Sequence, residues 1–165
     1  MTSEQKDVTS IGVRIAAIPP LIFVLLTIVA GLLEWFVFRE IKLLAFIPFW
    51  WRVALGLLIG SFSAIIMLWP WVYFLYVGTS VNPTVSASRL VTNGAFRLSR
   101  NPMYVGFVAV FVSWAVLFDS VPLLIAAGLM FLYLDRFVIK LEERQMLELF
   151  GSEFETYCNR VRRWL

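Results

Sequence analysis

The sequence predicts an all-α integral membrane protein of about four transmembrane helices, the last two a tight hairpin, followed by amphipathic C-terminal helices. Composition is the first of three observations. Over 165 residues, 61% are hydrophobic, 15% are charged and the mean hydropathy is +0.84. Soluble domains run roughly 45–50% apolar and about 25% charged, and a chain this short cannot bury such an excess in its own interior. The second is the set of long apolar runs, and the third is the clustering of arginine between and after them. A soluble enzyme and a nucleic-acid-binding module are thereby excluded, although the net charge is +3.

The first run, residues 14–38, is long enough to cross about 30 Å of hydrocarbon, with Pro19-Pro20 near its start, where missing amide donors cost least. It exceeds the apolar core of a cleavable signal peptide. The second, residues 53–77, carries Trp50, Trp51 and Arg52 at one end and Trp69 and Trp71 at the other, as suits headgroup layers; Pro70 is expected to kink it or to mark a shallow last turn. Runs 102–118 and 122–139 are separated only by Asp119-Ser120-Val121, the mark of an antiparallel hairpin. Lys6, Arg14, Arg89, Arg97, Arg100 and the arginines from Arg136 to Arg163 place both termini and the 78–101 loop in the cytoplasm; Arg39, Lys42 and Arg52 fall opposite. Contacts with lipid headgroups alone account equally well for any one of these arginines.

Histidine is absent and Cys158 is the single cysteine. Imidazole-based triads, disulfides and cysteine-rich zinc sites are therefore excluded, which favours chemistry carried by a cofactor. Two polar segments remain to carry it. In the 78–101 loop, turn formers Asn82-Pro83 and Asn93-Gly94 precede Asn101-Pro102, an N-cap followed by proline at the first helical position. Beside Arg97 and Arg100, this helix start is a candidate anion site, or simply a helix start with arginines on lipid phosphates. In residues 140–165, an apolar stripe through Ile139, Met146, Leu147, Phe150, Phe154, Tyr157, Val161 and Trp164 includes Glu143, a carboxylate that needs a cation, a hydroxyl or a ligand there. Glu142 points about 100° away, towards the loop. Gly151 is expected to end one helix and Ser152, with Glu155 as a capping box, to begin the next. Cys158 reads as an ordinary interfacial residue.

Two blocks in this order, LVTNGAFRLSRNPMYVG at 90–106 and EERQMLELFGSEFETYCNRVRR at 142–163, resemble the isoprenylcysteine carboxyl methyltransferase and phospholipid methyltransferase superfamily, looking like one of its minimal prokaryotic members. The superfamily pattern is L-V-x-x-G-x-Y, R-H-P-x-Y, a two-span hairpin, then E-E-x-x-L-x-x-x-F-G-x-x-Y-x-x-Y and a basic tail. The resemblance implies S-adenosylmethionine as cofactor, leaving as S-adenosylhomocysteine. It implies a cofactor pocket formed by Leu90, Val91, Gly94, Phe96, Arg100, Asn101, Pro102, Met103, Tyr104 and Glu142, with Glu143, Tyr157 and Arg163 at the reacting end. Asn101 stands where the family has histidine, Phe96 where it has tyrosine, and Val138 near the arginine that binds prenylcysteine in eukaryotic members.

The expected activity is methyl transfer to a lipophilic acceptor reached from the bilayer. A carboxylate is favoured, since an already anionic acceptor needs no general base. The alternative is a non-catalytic membrane subunit whose basic face binds anionic lipid or a partner.

Overall fold

The computed structural model describes residues 3–77 and 90–165, and among these every regular element is a helix. Helix α1 spans Ser3–Leu33 and continues as a π turn over Glu34–Phe38; α2 spans Phe49–Val77, α3 Pro102–Phe118 and α4 Val121–Tyr133. A π turn over Leu134–Val138 leads into α5, Ile139–Phe150, and α6 covers Ser152–Arg160. Three stretches are long and apolar enough to cross a bilayer: Ile18–Phe38, Phe49–Pro70 and Val121–Phe150. At 17 residues, α3 is a shorter apolar helix. With most of the stretches Ile18–Phe38 and Phe49–Pro70 turned outward, as at Leu21, Leu25, Leu57 and Leu58, the chain is a membrane protein.

Several boundaries differ from those read off the sequence. Because α1 begins at Ser3, Pro19 and Pro20 lie inside it rather than in its first turn. Pro70 likewise lies inside α2, which starts at Phe49 and runs on to Val77. The helix that begins at Val121 passes residue 140 without a break: a π turn absorbs one residue at Leu134–Val138, and α5 follows directly. The first part of the polar loop, with Asn82-Pro83 and Arg89, lies outside the described residues.

Small residues bring α2 and α3 together. Gly56 and Gly60 are four apart on α2, and the Ser113 hydroxyl of α3 donates to the Gly56 carbonyl at 2.8 Å. A methyl on Gly106 would meet Met67 Cβ at 2.8 Å and the Ser63 carbonyl at 3.2 Å. Close backbone approach of this kind is what drives association where lipid removes the hydrophobic incentive. The other face of α3 carries Phe111, fully buried, which with Phe107 and Trp114 surrounds Phe23 of α1 at centroid distances of 4.6–5.8 Å. Ala30, Ala126, Ala127, Met130, Leu134 and Ile139 complete this core.

The hairpin between α3 and α4 is as tight as the sequence implies. Asp119 closes α3 in the left-handed region at φ 53, and Ser120 caps α4 by accepting from the Leu123 amide. Asp119 is buried and also accepts from Arg52 at 2.7 Å and from the Leu44 amide at 2.8 Å. Glu34 bonds Lys42 at 2.8 Å and the Ser120 hydroxyl at 2.7 Å. One end of the bundle is thus closed by its own ion pairs.

Gly106→Ala is expected to lower the thermal midpoint in detergent, since overpacking costs about 1–3 kcal/mol. Gly31→Ala adds a methyl that meets nothing within 4 Å and is expected to leave the midpoint unchanged or slightly raised. Equal midpoints for the two variants would contradict a seam between α2 and α3.

Candidate active site

The opposite end of the bundle gathers charge from three distant segments. Arg100 precedes α3, Glu142 and Glu143 lie on α5, and Arg163 follows α6. Glu143 Oε1 accepts from Arg100 Nη2 at 2.8 Å and from Arg163 Nε at 3.2 Å, while its Oε2 accepts from Arg163 Nη2 at 2.5 Å. This meets the need for a cation created by a carboxylate on the apolar stripe, but with partners other than the neighbouring bases Arg136 and Lys140. Glu142 accepts from the Tyr104 hydroxyl at 2.6 Å through Oε1, leaving Oε2 unengaged. The 100° between adjacent helical residues thus sends one carboxylate to α3 and the other to the two arginines.

A further carboxylate belongs to this cluster and was not evident from sequence. Asp135, in the π turn, accepts from Arg163 Nη1 at 3.2 Å and from the Trp164 indole at 3.0 Å. Its sequence signal is an Asp-Arg pair near the end of an apolar run; intramembrane charge usually marks a working group.

Backbone bonds hold these segments in register. The Arg100 amide donates to the Arg162 carbonyl at 2.9 Å, and the Arg163 carbonyl accepts from Ser99 Oγ at 3.1 Å and Asn101 Nδ2 at 3.0 Å. Asn101 therefore occupies the N-cap position of α3 without a side-chain cap, its amide being directed to Arg163 instead. Its own backbone N–H goes to Ser99 Oγ at 3.0 Å. Arg100 also donates to the Cys158 carbonyl at 3.2 Å, while its Nε is buried with no partner.

Helix α6 also departs from expectation. Gly151, at φ 49, takes the cap position, and Ser152 is the first helical residue, with its carbonyl accepting from Thr156. No capping box forms, because the left-handed turn that only glycine adopts freely already redirects the chain. Tyr157 and Phe154 pack with Leu90, Phe96, Met146 and Phe150. The Tyr157 hydroxyl donates to the Phe96 carbonyl at 2.7 Å, and burial pushes its phenol up to about 12, so it remains a donor. Bonds to Glu143 hold the Arg163 guanidinium above its ordinary value. Burial raises the Cys158 thiol, as fits an interfacial residue rather than a nucleophile.

Gly94 is needed at its position twice over: its φ is 63, and a Cβ would strike the Trp69 indole. That contact docks the Gly94–Arg97 turn onto the end of α2. Beside Tyr157 lies a groove of about 520 Å³ lined by Leu90, Thr92, Asn93, Arg97, Glu153, Thr156, Arg160 and Val161. Of the sequence-predicted residues, Arg100, Asn101, Tyr104, Glu142, Glu143 and Arg163 meet in the charged cluster. Leu90 and Tyr157 border the groove, and Phe96 packs against this cluster and accepts from the Tyr157 hydroxyl. Pro102 is buried in the first turn of α3; Val91 and Met103 are half-buried beside these groups. An apolar crevice of about 620 Å³ lies at the other end, near Glu34 and Ser120, away from this chemistry.

The fold and this cluster define a helical membrane protein whose polar chemistry is confined to one end of its bundle. Residues 51–153 match the phospholipid methyltransferase family, and the chain belongs to that family. It is thus by class a membrane methyltransferase. The matched region takes in the α2–α3 seam, Arg100, Tyr104 and both glutamates, and ends before Tyr157 and Arg163. No curated protein and no solved structure matches the chain.

Glu143→Ala leaves two guanidiniums face to face and is expected to destabilise the protein by on the order of 3 kcal/mol. Glu142→Gln keeps an acceptor for Tyr104 and is expected to cost about 1 kcal/mol or less. Thermal melts in detergent decide between them; the reverse order would remove Glu143 from its bridging role.

Proposed function

We propose that the chain transfers a methyl group from S-adenosylmethionine to a lipophilic acceptor that reaches the charged cluster from the bilayer. The single observation that carries this reading is the division of labour within the glutamate pair. Both oxygens of Glu143 are taken by arginines, whereas Glu142 keeps Oε2 open beside Tyr104. Glu142 is therefore the ligand-holding carboxylate, and Glu143 fixes the frame around it.

The residues suit the donor. The orphaned Nε–H of Arg100 is a buried donor for a carboxylate. Glu142 Oε2 is an acceptor for a hydroxyl or an ammonium, and the groove beside Tyr157 offers apolar walls with Thr92, Asn93 and Thr156 for an adenosine. Leu90, Val91, Gly94, Phe96, Asn101, Pro102, Met103 and Tyr104 remain the cofactor-pocket residues of this reading, with Leu90 on the groove and Tyr104 on Glu142. Bound S-adenosylmethionine supplies an electrophilic methyl group on a sulfonium. Asp135, Glu142 and Glu143 face Arg100 and Arg163, with Arg136 as a third guanidinium near Asp135. Arg136 is 3.9 Å from Asp135 but largely exposed.

The same arrangement bears on the acceptor. A carboxylate, favoured by the sequence alone, would meet two arginines already paired. A lipid amine, an ammonium near neutral pH, meets an open carboxylate oxygen that takes its proton, and the freed lone pair then attacks the methyl group as the sulfur–carbon bond breaks and S-adenosylhomocysteine leaves. The reading thus moves to a nitrogen headgroup, with Tyr104 orienting Glu142 and Arg163 closing the site. The excess of arginine at this end supports a cytoplasmic orientation for it.

S-adenosylhomocysteine is expected to bind the purified protein, and Glu142→Ala to weaken it by about tenfold or more. Absence of binding at millimolar ligand, read by calorimetry, defeats the proposal. With methyl-labelled donor and a membrane lipid extract, the label is expected to stay non-volatile after mild base; volatile counts, as from a methyl ester, would restore the carboxylate acceptor.

A further inference from the structure

We infer that Asp135 is a positioning residue: it latches residues 161–165 as a strap across the glutamate pair and fixes the Arg163 guanidinium in its working orientation. The inference rests on the methyl-transfer reading above for its catalytic consequence, but the latch itself is a matter of geometry.

Three independent attachments hold the strap. Its backbone is tied to the start of α3 through the Arg162 and Arg163 carbonyls. Its Arg163 side chain bridges α5 and the π turn, with Nε and Nη2 on Glu143 and Nη1 on Asp135. Its Trp164 indole donates to the same Asp135 oxygen while its ring lies 4.6 Å from Phe131, centroid to centroid. Asp135 is the one group shared by the two side-chain attachments.

An arginine held only through one carboxylate keeps a flexible four-bond stem, whose ordering costs on the order of 1.5–2 kcal/mol. Contacts at both ends of its planar fork remove that freedom. Trp164 adds a rigid plate that prevents the strap from sliding along α4. The placement of Asp135 in a π turn fits this role, since such turns interrupt regular helices frequently at functional sites. None of these bonds involves Glu142, so the ligand-holding carboxylate stays free of the latch while the strap covers its neighbour.

With the purified chain in detergent, Asp135→Ala is expected to speed tryptic cleavage after Arg162 and Arg163 by about tenfold. It is also expected to lower kcat by about 10–100-fold, the scale of a small misplacement of a positioned group, with the dissociation constant for S-adenosylhomocysteine within about twofold of wild type. Asp135→Asn still accepts from Trp164 but loses its charge towards Arg163. It is expected to recover protection from trypsin without recovering kcat. Unchanged protection in Asp135→Ala overturns the latch; recovery of kcat by Asp135→Asn, or loss of ligand binding in step with kcat, overturns positioning. Should Asp135→Ala fold poorly, Trp164→Phe, which keeps the ring and removes only its N–H, repeats the cleavage test, and unchanged protection there overturns the latch as well. If wild type transfers no methyl group at all, the function proposed above fails, and the cleavage rates still test the latch.

Discussion

Glu143 is the point at which this fold is tied together. A carboxylate set among apolar side chains at a membrane boundary is costly unless cations meet it, and the two that do come from segments 43 and 20 residues away in sequence. Satisfying that one charge draws the approach to α3 and the strap after α6 onto α5, and the backbone bonds between Arg100 and Arg162 then set their register. Pairs of this kind add little net stability over a well-packed apolar core; what they supply is uniqueness of arrangement, because a broken pair leaves a stranded charge. Here the arrangement in question is the wall of the site.

The rest of the bundle keeps that end steady while leaving it open. The α2–α3 seam rests on glycines and serines, and a Cβ at Gly56, Gly60 or Gly106 would strike the facing helix. Gly94 transmits the position of α2 to the loop through the Trp69 indole. At the far end, Arg52, Asp119, Glu34 and Ser120 close the hairpin with charges that are spent on one another. The two ends thus use the same chemistry for different purposes. Each end buries one guanidinium Nε–H without a partner, Arg52 at one and Arg100 at the other; only the second end also has the open Glu142 Oε2.

What the sequence disclosed follows from which forces act locally. Hydropathy and proline placement located α3 and its hairpin, since span length and turn chemistry are properties of short stretches. The demand of Glu143 for a cation was legible because an apolar stripe is periodic; the identity of Arg100 and Arg163 was not, because pairing across 43 and 20 residues is decided by the packing of α3 and α5. Ser152 has the spacing to Glu155 that a cap requires, yet the positive φ of Gly151 claims the cap. Gly56 and Gly60 make a seam only once Ser113 and Leu117 stand opposite them, and Asp135 gives little local signal because its partner Trp164 lies 29 residues on.

The absence of histidine gains its meaning from the glutamate pair. A base poised near neutrality is most valuable where a proton must be removed before attack, and a carboxylate free in water is too weak for that task. A carboxylate held against an ammonium headgroup compensates by position: its open oxygen takes the proton that must leave before the freed lone pair can attack the methyl group. Glu142 meets that condition, with one oxygen fixed by the Tyr104 hydroxyl and the other unengaged. Asn101 can then serve as a tether for the Arg163 carbonyl rather than as a titrating group. In the function proposed above, the proton-handling role therefore falls to Glu142 on α5 rather than to the start of α3, next to the arginine that the proposed strap holds in place.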